Sequence, residues 1–169
     1  VSSDPIRLYL SASIANAPLN AGLRRWFSAP RYELILPQEF TPEVPHTELP
    51  RAIYERCLLE MERCDAGLLL LDAFGIDCAA EAGWFAARKK PLFAVASSSA
   101  RFLQNWMVKG AISRVFCVDP ALEEATRSDP ILGTERVEGA ASWAEIADRI
   151  ARALATTEGG VVPSGDDWP

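Results

Sequence analysis

The chain has 169 residues, of which 49% are hydrophobic and 24% charged, with a formal net charge of -6. That length and balance fit one soluble domain able to bury a real core, and they confine disorder to the ends. The acidic balance, with no stripe of Lys or Arg, excludes a nucleic acid polymer as the partner.

The run I-R-L-Y-L (residues 6–10) predicts a first strand, and the small residues of S-A-S-I-A-N-A then make a tight turn where backbone can approach a ligand. Helical spacing of apolar positions covers Leu19 to Phe27, and Y-E-L-I-L-P predicts a second strand stopped by Pro37. From Glu48 to Cys64, Leu49, Ile53, Cys57 and Met61 recur at helical intervals, with Thr47 offered as N-cap. The apolar run A-G-L-L-L-L-D ends at Asp72 and suits a strand covered on both faces.

A third helix is expected to open at Asp77 and to close on Arg88, Lys89 and Lys90, a basic last turn that offsets its dipole. P-L-F-A-V-A gives a fourth strand, residues 100–107 a helix, and R-V-F-C-V a fifth strand. Residues 119–141 read as polar connection, and Ser142 with Glu145 caps a final helix to Ala155. The alternation predicts an α/β fold: a doubly wound, five-stranded parallel sheet, flavodoxin- or Rossmann-like in order 2-1-3-4-5, with helices on both faces. Residues 1–156 form the expected single domain, and residues 157–169, including Trp168, a flexible tail.

Cys57, Cys64, Cys78 and Cys117 have no metal-ligand spacing, and His46 alone cannot complete a zinc set, so no metal and no cofactor are expected. They read as reduced thiols of a cytoplasmic protein. Neither a leader pattern nor an apolar run of spanning length is seen, so no membrane partner is expected.

In such a sheet ligands bind beyond the carboxyl ends of the strands. The sequence places Ser11 and Ser13, Gln38, Asp72, and Ser97 to Ser99 there, with Asp77 and Glu81 just beyond Asp72. No Gly-rich dinucleotide fingerprint and no phosphate-loop motif occur, and one His makes a poor catalytic triad. Carboxylate chemistry remains. D-C-A-A-E has two readings, an N-cap with a first-turn acid or a nucleophile kept ionised by a helix start, and spacing leaves both open.

Four blocks between Leu8 and about Val118 resemble the nucleoside 2-deoxyribosyltransferases and their nucleotide N-glycosidase relatives. They are L-Y-L-S-A-S, C-D-A-G-L-L-L-L-D, D-C-A-A-E-A-G-W-F-A-A-R-K-K-P and N-W-M-V-K-G. The third is the most specific, being similar to D-x-G-T-A-x-E-[ILV]-G-x-A-x-x-x-x-K-P, and it sets Glu81 on the family's nucleophile. The resemblance implies Asp77 as the acid that protonates the leaving base, and Tyr9, Ser11, Gln38, Asp72, Asn105 and Met107 as substrate-binding residues. It also implies a homo-oligomer in which Asn105 and Met107 reach a neighbouring subunit's site.

Two departures stand out. Only Cys78, Ala79 and Ala80 separate Asp77 from Glu81, two fewer residues than the family pattern, and Cys57 occupies a second-helix position that is commonly polar. The implied activity is cleavage of the N-glycosidic bond of a small-molecule nucleoside or nucleotide, with transfer of 2-deoxyribose between bases. Hydrolysis is the close alternative. A catalytically inactive nucleotide-binding or signalling module is the alternative of another class, and a receiver or flavin protein uses the same sheet.

Overall fold

The wholly apolar runs become the middle of the sheet. In the computed structural model, which describes residues 4–157, β3 (Ala66–Leu70) and β4 (Leu92–Ala96) are buried at every position. They are flanked by β1 (Ile6–Ser11) and β5 (Arg114–Cys117), and the edges are β2 (Tyr32–Ile35) and β6 (Val137–Gly139). All pairings are parallel, and the order is β2-β1-β3-β4-β5-β6.

The two-residue side-chain period divides the core into two layers. Leu8, Leu10, Leu68, Leu70, Phe93 and Val95 face one layer with Leu23 and with Ile146 and Ile150 of α6 (Trp143–Thr157). Tyr9, Leu69, Ala94 and Val115 face the other, against Met61 of α2 (Leu49–Arg63), Cys78, Ala82 and Phe85 of α3 (Ile76–Ala87), and Val108 of α4 (Trp106–Ala111). Helix α1 (Ala17–Gly22) lies between β1 and β2 in the chain, and α5 (Pro120–Arg127) puts Leu122 into the second layer.

Gly67 decides how closely α3 approaches. It pairs with Tyr9 across β1 and β3, and a Cβ there would meet Phe85 at 2.9 Å and Leu92 at 2.7 Å. The missing side chain makes room for the Phe85 ring, which packs 6.1 Å from the Tyr9 ring.

The expected five strands are six. Residues 119–141 hold α5 and β6, because Asp119 caps Ala121 N–H at 2.8 Å, Pro120 preorganises the first turn, and Val137 pairs with Val115. The D-P pair was the available signal, and a three-residue edge strand was too short to show a period. The third helix starts at Ile76 with Gly75 as its N-cap, so Asp77 is a first-turn acid and not the cap. Thr47 is likewise not the cap of α2, whose N-cap is Glu48 with Pro50 in the first turn. The helix expected over 100–107 is a 3-10 turn, Arg101–Gln104, followed by α4.

At the other end of α3, Lys90 of the basic cluster has a duty that was not expected. Lys90 donates its ammonium to the carbonyls of Met61, Glu62 and Cys64, and so caps α2 and not its own helix. Helix α6 keeps the expected cap, with Glu145 N–H donating to Ser142 Oγ at 3.2 Å, and runs through Thr157. The rest of the expected tail, with Trp168, lies outside the described residues. The four cysteines are free, and no helix among the described residues is long and apolar enough to cross a membrane.

Candidate active site

The chain starts β1, moves outward to β2, then returns to the other side of β1 for β3, so the strand order reverses between β1 and β3. A crevice outside their carboxyl ends is where this fold binds ligands. There Ser13 N–H donates to the Ala73 carbonyl at 2.7 Å and ties the two strand-end loops together.

Glu81 stands at this point, half-buried on the first turns of α3. Tyr9 and Ser11 are two apart on β1, so both face the α3 layer. The Tyr9 phenol donates to Glu81 Oε1 at 2.8 Å and the Ser11 hydroxyl to Oε2 at 2.5 Å, both from fully buried residues. Each carboxylate oxygen thus has one fixed donor. Asp77, exposed and four residues earlier, shares that face of the helix.

Burial pushes the Glu81 carboxyl above its ordinary value, against the pull of the Ser11 and Tyr9 hydroxyls and with the charge of Asp77 adding to the rise. Burial and the Glu81 charge push the Tyr9 phenol far up, which keeps it a proton-bearing donor. The arrangement is a desolvated carboxylate aimed by two hydroxyls, the condition for nucleophilic use of a carboxylate.

The other residues expected at the site divide. Asp72 turns to the loop after β4: Ser97 N–H and Oγ donate to Oδ2 at 2.6 and 2.9 Å, Ser98 N–H and Oγ to Oδ1 at 3.0 and 2.9 Å. Partial burial raises this carboxyl, but the four hydrogen bonds outweigh it and hold it below the usual range. Ser97 and Ser98 are therefore occupied as a loop clamp. Gln38 is half-buried, donates to the Ala17 carbonyl at 2.9 Å and accepts from Asn20 at 2.9 Å. Asn105 is the N-cap residue of α4, and it and Met107 are exposed on a helix that packs beside α3.

Three neighbours of the site were not expected there. Cys57, on α2, lies beside the Tyr9 phenol, and burial pushes its thiol up. The departure at Cys57 was the available signal for it. Cys78 lies beside Ser11 and accepts from Gly75 N–H at 3.3 Å. Asn20 is buried between the loops after β1 and β2, and only the packing of separate loops reveals it.

The family model described as nucleoside 2-deoxyribosyltransferase matches residues 8–154, most of the chain. No curated protein matches it. Among solved structures, a 2-deoxyribosyltransferase of the psychrotolerant bacterium Bacillus psychrosaccharolyticus is similar with a TM-score of 0.50 and 16% identity, over 65% of this chain and 85% of that one. A conserved protein of Enterococcus faecalis V583 is similar with a TM-score of 0.47 and 14% identity, over 88% of this chain and 99% of that one. At 16% identity the likeness to the first of these shows the fold alone. The family match spans β1 through α6 and includes Tyr9, Ser11, Asp77 and Glu81, and the chain belongs to the nucleoside 2-deoxyribosyltransferase family.

Proposed function

We propose that the chain is an enzyme that cleaves the N-glycosidic bond of a 2-deoxynucleoside and transfers the deoxyribosyl group to a second base. The observation that carries this reading is the half-buried Glu81 carboxylate with one hydroxyl donor on each oxygen. A Glu81 oxygen bonds the anomeric carbon as the bond to the base nitrogen breaks, and that electron pair stays with the base. Asp77 supplies the proton the base takes up. The acceptor base then attacks the same carbon, releasing Glu81 and returning its proton to Asp77, so configuration is retained.

The hydroxyls and the burial of Glu81 act in opposite senses on its charge. Tyr9 and Ser11 keep it ionised and pointed, and the loss of water keeps its oxygens unencumbered. In this reading Gln38 lies at the base. Asp72 serves the substrate indirectly, by holding the loop after β4 against the crevice.

Asn105 and Met107 serve a neighbouring subunit's site in this reading. Support comes from the starts of α3 and α4, where Ile76, Met107 and Trp106 are 93%, 89% and 73% exposed. Large apolar groups this exposed at the starts of two packed helices suit a face covered by a second copy. Sedimentation that finds a monomer at working concentration would remove this part of the reading.

The deciding experiment incubates the protein with deoxyinosine and adenine and separates the products by chromatography. Release of hypoxanthine with formation of deoxyadenosine, lost in Glu81→Gln and Glu81→Ala, supports transfer. Release without transfer, with water as acceptor, gives the hydrolase. Binding without turnover in wild type and variant alike overturns catalysis and favours an inactive binding module on this fold.

A further inference from the structure

We propose that Asn20 is a positioning residue for base recognition: it fixes the donor–acceptor order of the Gln38 amide, through which the site separates bases with an exocyclic amino group from those with an oxo group. This rests on the reading above that Gln38 faces the base.

The order of the amide is set from both ends. The Ala17 and Ser13 carbonyls can only accept, so the Gln38 group facing Ala17 and the Asn20 group facing Ser13 must both be the NH2 ends. Asn20 Nδ2 then spends its second hydrogen on Gln38 Oε1 at 2.9 Å. Both hydrogens of the Asn20 amide are used, at 3.2 Å to Ser13 and 2.9 Å to Gln38.

The acceptor half of Asn20 does nothing comparable. Its Oδ1 accepts from no group among the described residues, in a side chain 2% exposed. A buried acceptor left idle is a cost to folding, so what the Asn side chain supplies here is its two donated hydrogen bonds. What the position uses is a donor. An apolar residue of the same size would remove the orphan acceptor, and only the grip on Ser13 and Gln38 would be lost.

The consequence falls on Gln38. With one Nε2 hydrogen on Ala17 and one Oε1 lone pair taken by Asn20, the half-buried amide retains one hydrogen and one lone pair, in a set order. Such an amide edge reads a base bidentately, and the order decides between an amino and an oxo group beside a ring nitrogen. Without Asn20 the amide keeps a single tether and can pivot to suit either.

The test uses free adenine and hypoxanthine, which carry no bond to cleave, so it does not depend on turnover. Calorimetric Kd values are compared for the wild type, Asn20→Leu, Asn20→Asp and Gln38→Ala, each checked for folding by circular dichroism. The wild type is expected to prefer one base by about tenfold, within the range of a bidentate pair, and Asn20→Leu to cut this to about threefold or less. Asn20→Asp, an acceptor facing an acceptor, reduces or inverts the preference. Should Asn20→Leu fail to fold, Asn20→Ala carries the same comparison. A wild type without preference, or an Asn20→Leu that keeps the preference while Gln38→Ala loses it, overturns the proposal. If Gln38→Ala binds both bases as the wild type does, it is the placement of the base at Gln38 that fails.

Discussion

The phenol of Tyr9 donates to Glu81 from a ring that packs 6.1 Å from Phe85, four residues further along the same helix. Helix α3 therefore carries both the carboxylate and a wall that keeps its donor in place. The wall stands there because Gly67, paired with Tyr9 on the next strand, has no side chain to keep Phe85 away.

The Tyr9 hydrogen bond favours the ionised form of Glu81, whose carboxyl is raised chiefly by burial. A nucleophilic Glu81 must be ionised, so kcat/KM is expected to rise along an acid limb lying above the ordinary range for a Glu. Tyr9→Phe removes one pull toward ionisation and is expected to move that limb to higher pH. It also slows cleavage about tenfold to a hundredfold, the worth of a hydrogen bond to a charged group. A pH–rate profile of both proteins checks this, and a limb displaced to lower pH contradicts it.

Glu81→Gln is expected to lose about 10^3-fold or more in turnover, as removal of a nucleophile does. Its effect on stability has the opposite sense. Because the folded carboxyl lies above its unfolded value, wild-type stability is present below the unfolded value and declines as pH rises through the folded one. The uncharged variant lacks this decline, so it should be the more stable protein at about pH 8 and lose its advantage at about pH 4. Urea unfolding at the two pH values measures the difference.

Asp72 has its carboxyl lowered, with partial burial opposed and outweighed by the bonds from Ser97 and Ser98. Its contribution is therefore present above the unfolded value and lost as pH falls through the lowered one. Asp72→Ala is expected to cost about 1–3 kcal/mol at neutral pH by freeing four donors of the loop after β4. Denaturant unfolding should show the gap to the wild type closing in strong acid, and faster amide exchange at Ser97 and Ser98.

Lys109 and Asp129 form an ion pair with both side chains buried, and Asp129 also accepts from Ile131 and Leu132 N–H at 2.9 and 3.2 Å. Removing one partner strands a charge, so Lys109→Met is expected to cost about 3–5 kcal/mol. Adding Asp129→Leu should restore a large part of it, as a double-mutant cycle by thermal or urea unfolding would show. Because Lys109 sits two residues from Met107 on α4, the single variant should also loosen the segment that carries Asn105.

Local chemistry made much of this protein readable from its residues alone. The unbroken apolar runs of β3 and β4, the helical spacing of α2 and the Ser142 to Glu145 cap each declare themselves within a few residues, and the parallel doubly wound sheet follows from their alternation. The D-P start of α5 was as local, but its neighbour β6 has only three residues and is a strand only because β5 offers a partner.

Tertiary structure decided what pairs with what. It tied Asp72 to Ser97 and Ser98 as a loop clamp, gave Lys90 to the end of α2, and placed Cys57 against the Tyr9 phenol. It also set Asn20 behind Gln38, and brought Tyr9 and Ser11 to the two oxygens of Glu81 across about 70 residues of chain. Secondary structure arises from neighbours in sequence, whose periodicity a reader can count. A carboxylate's charge state and partners arise from groups the fold carries together from distant strands, and no local pattern encodes them.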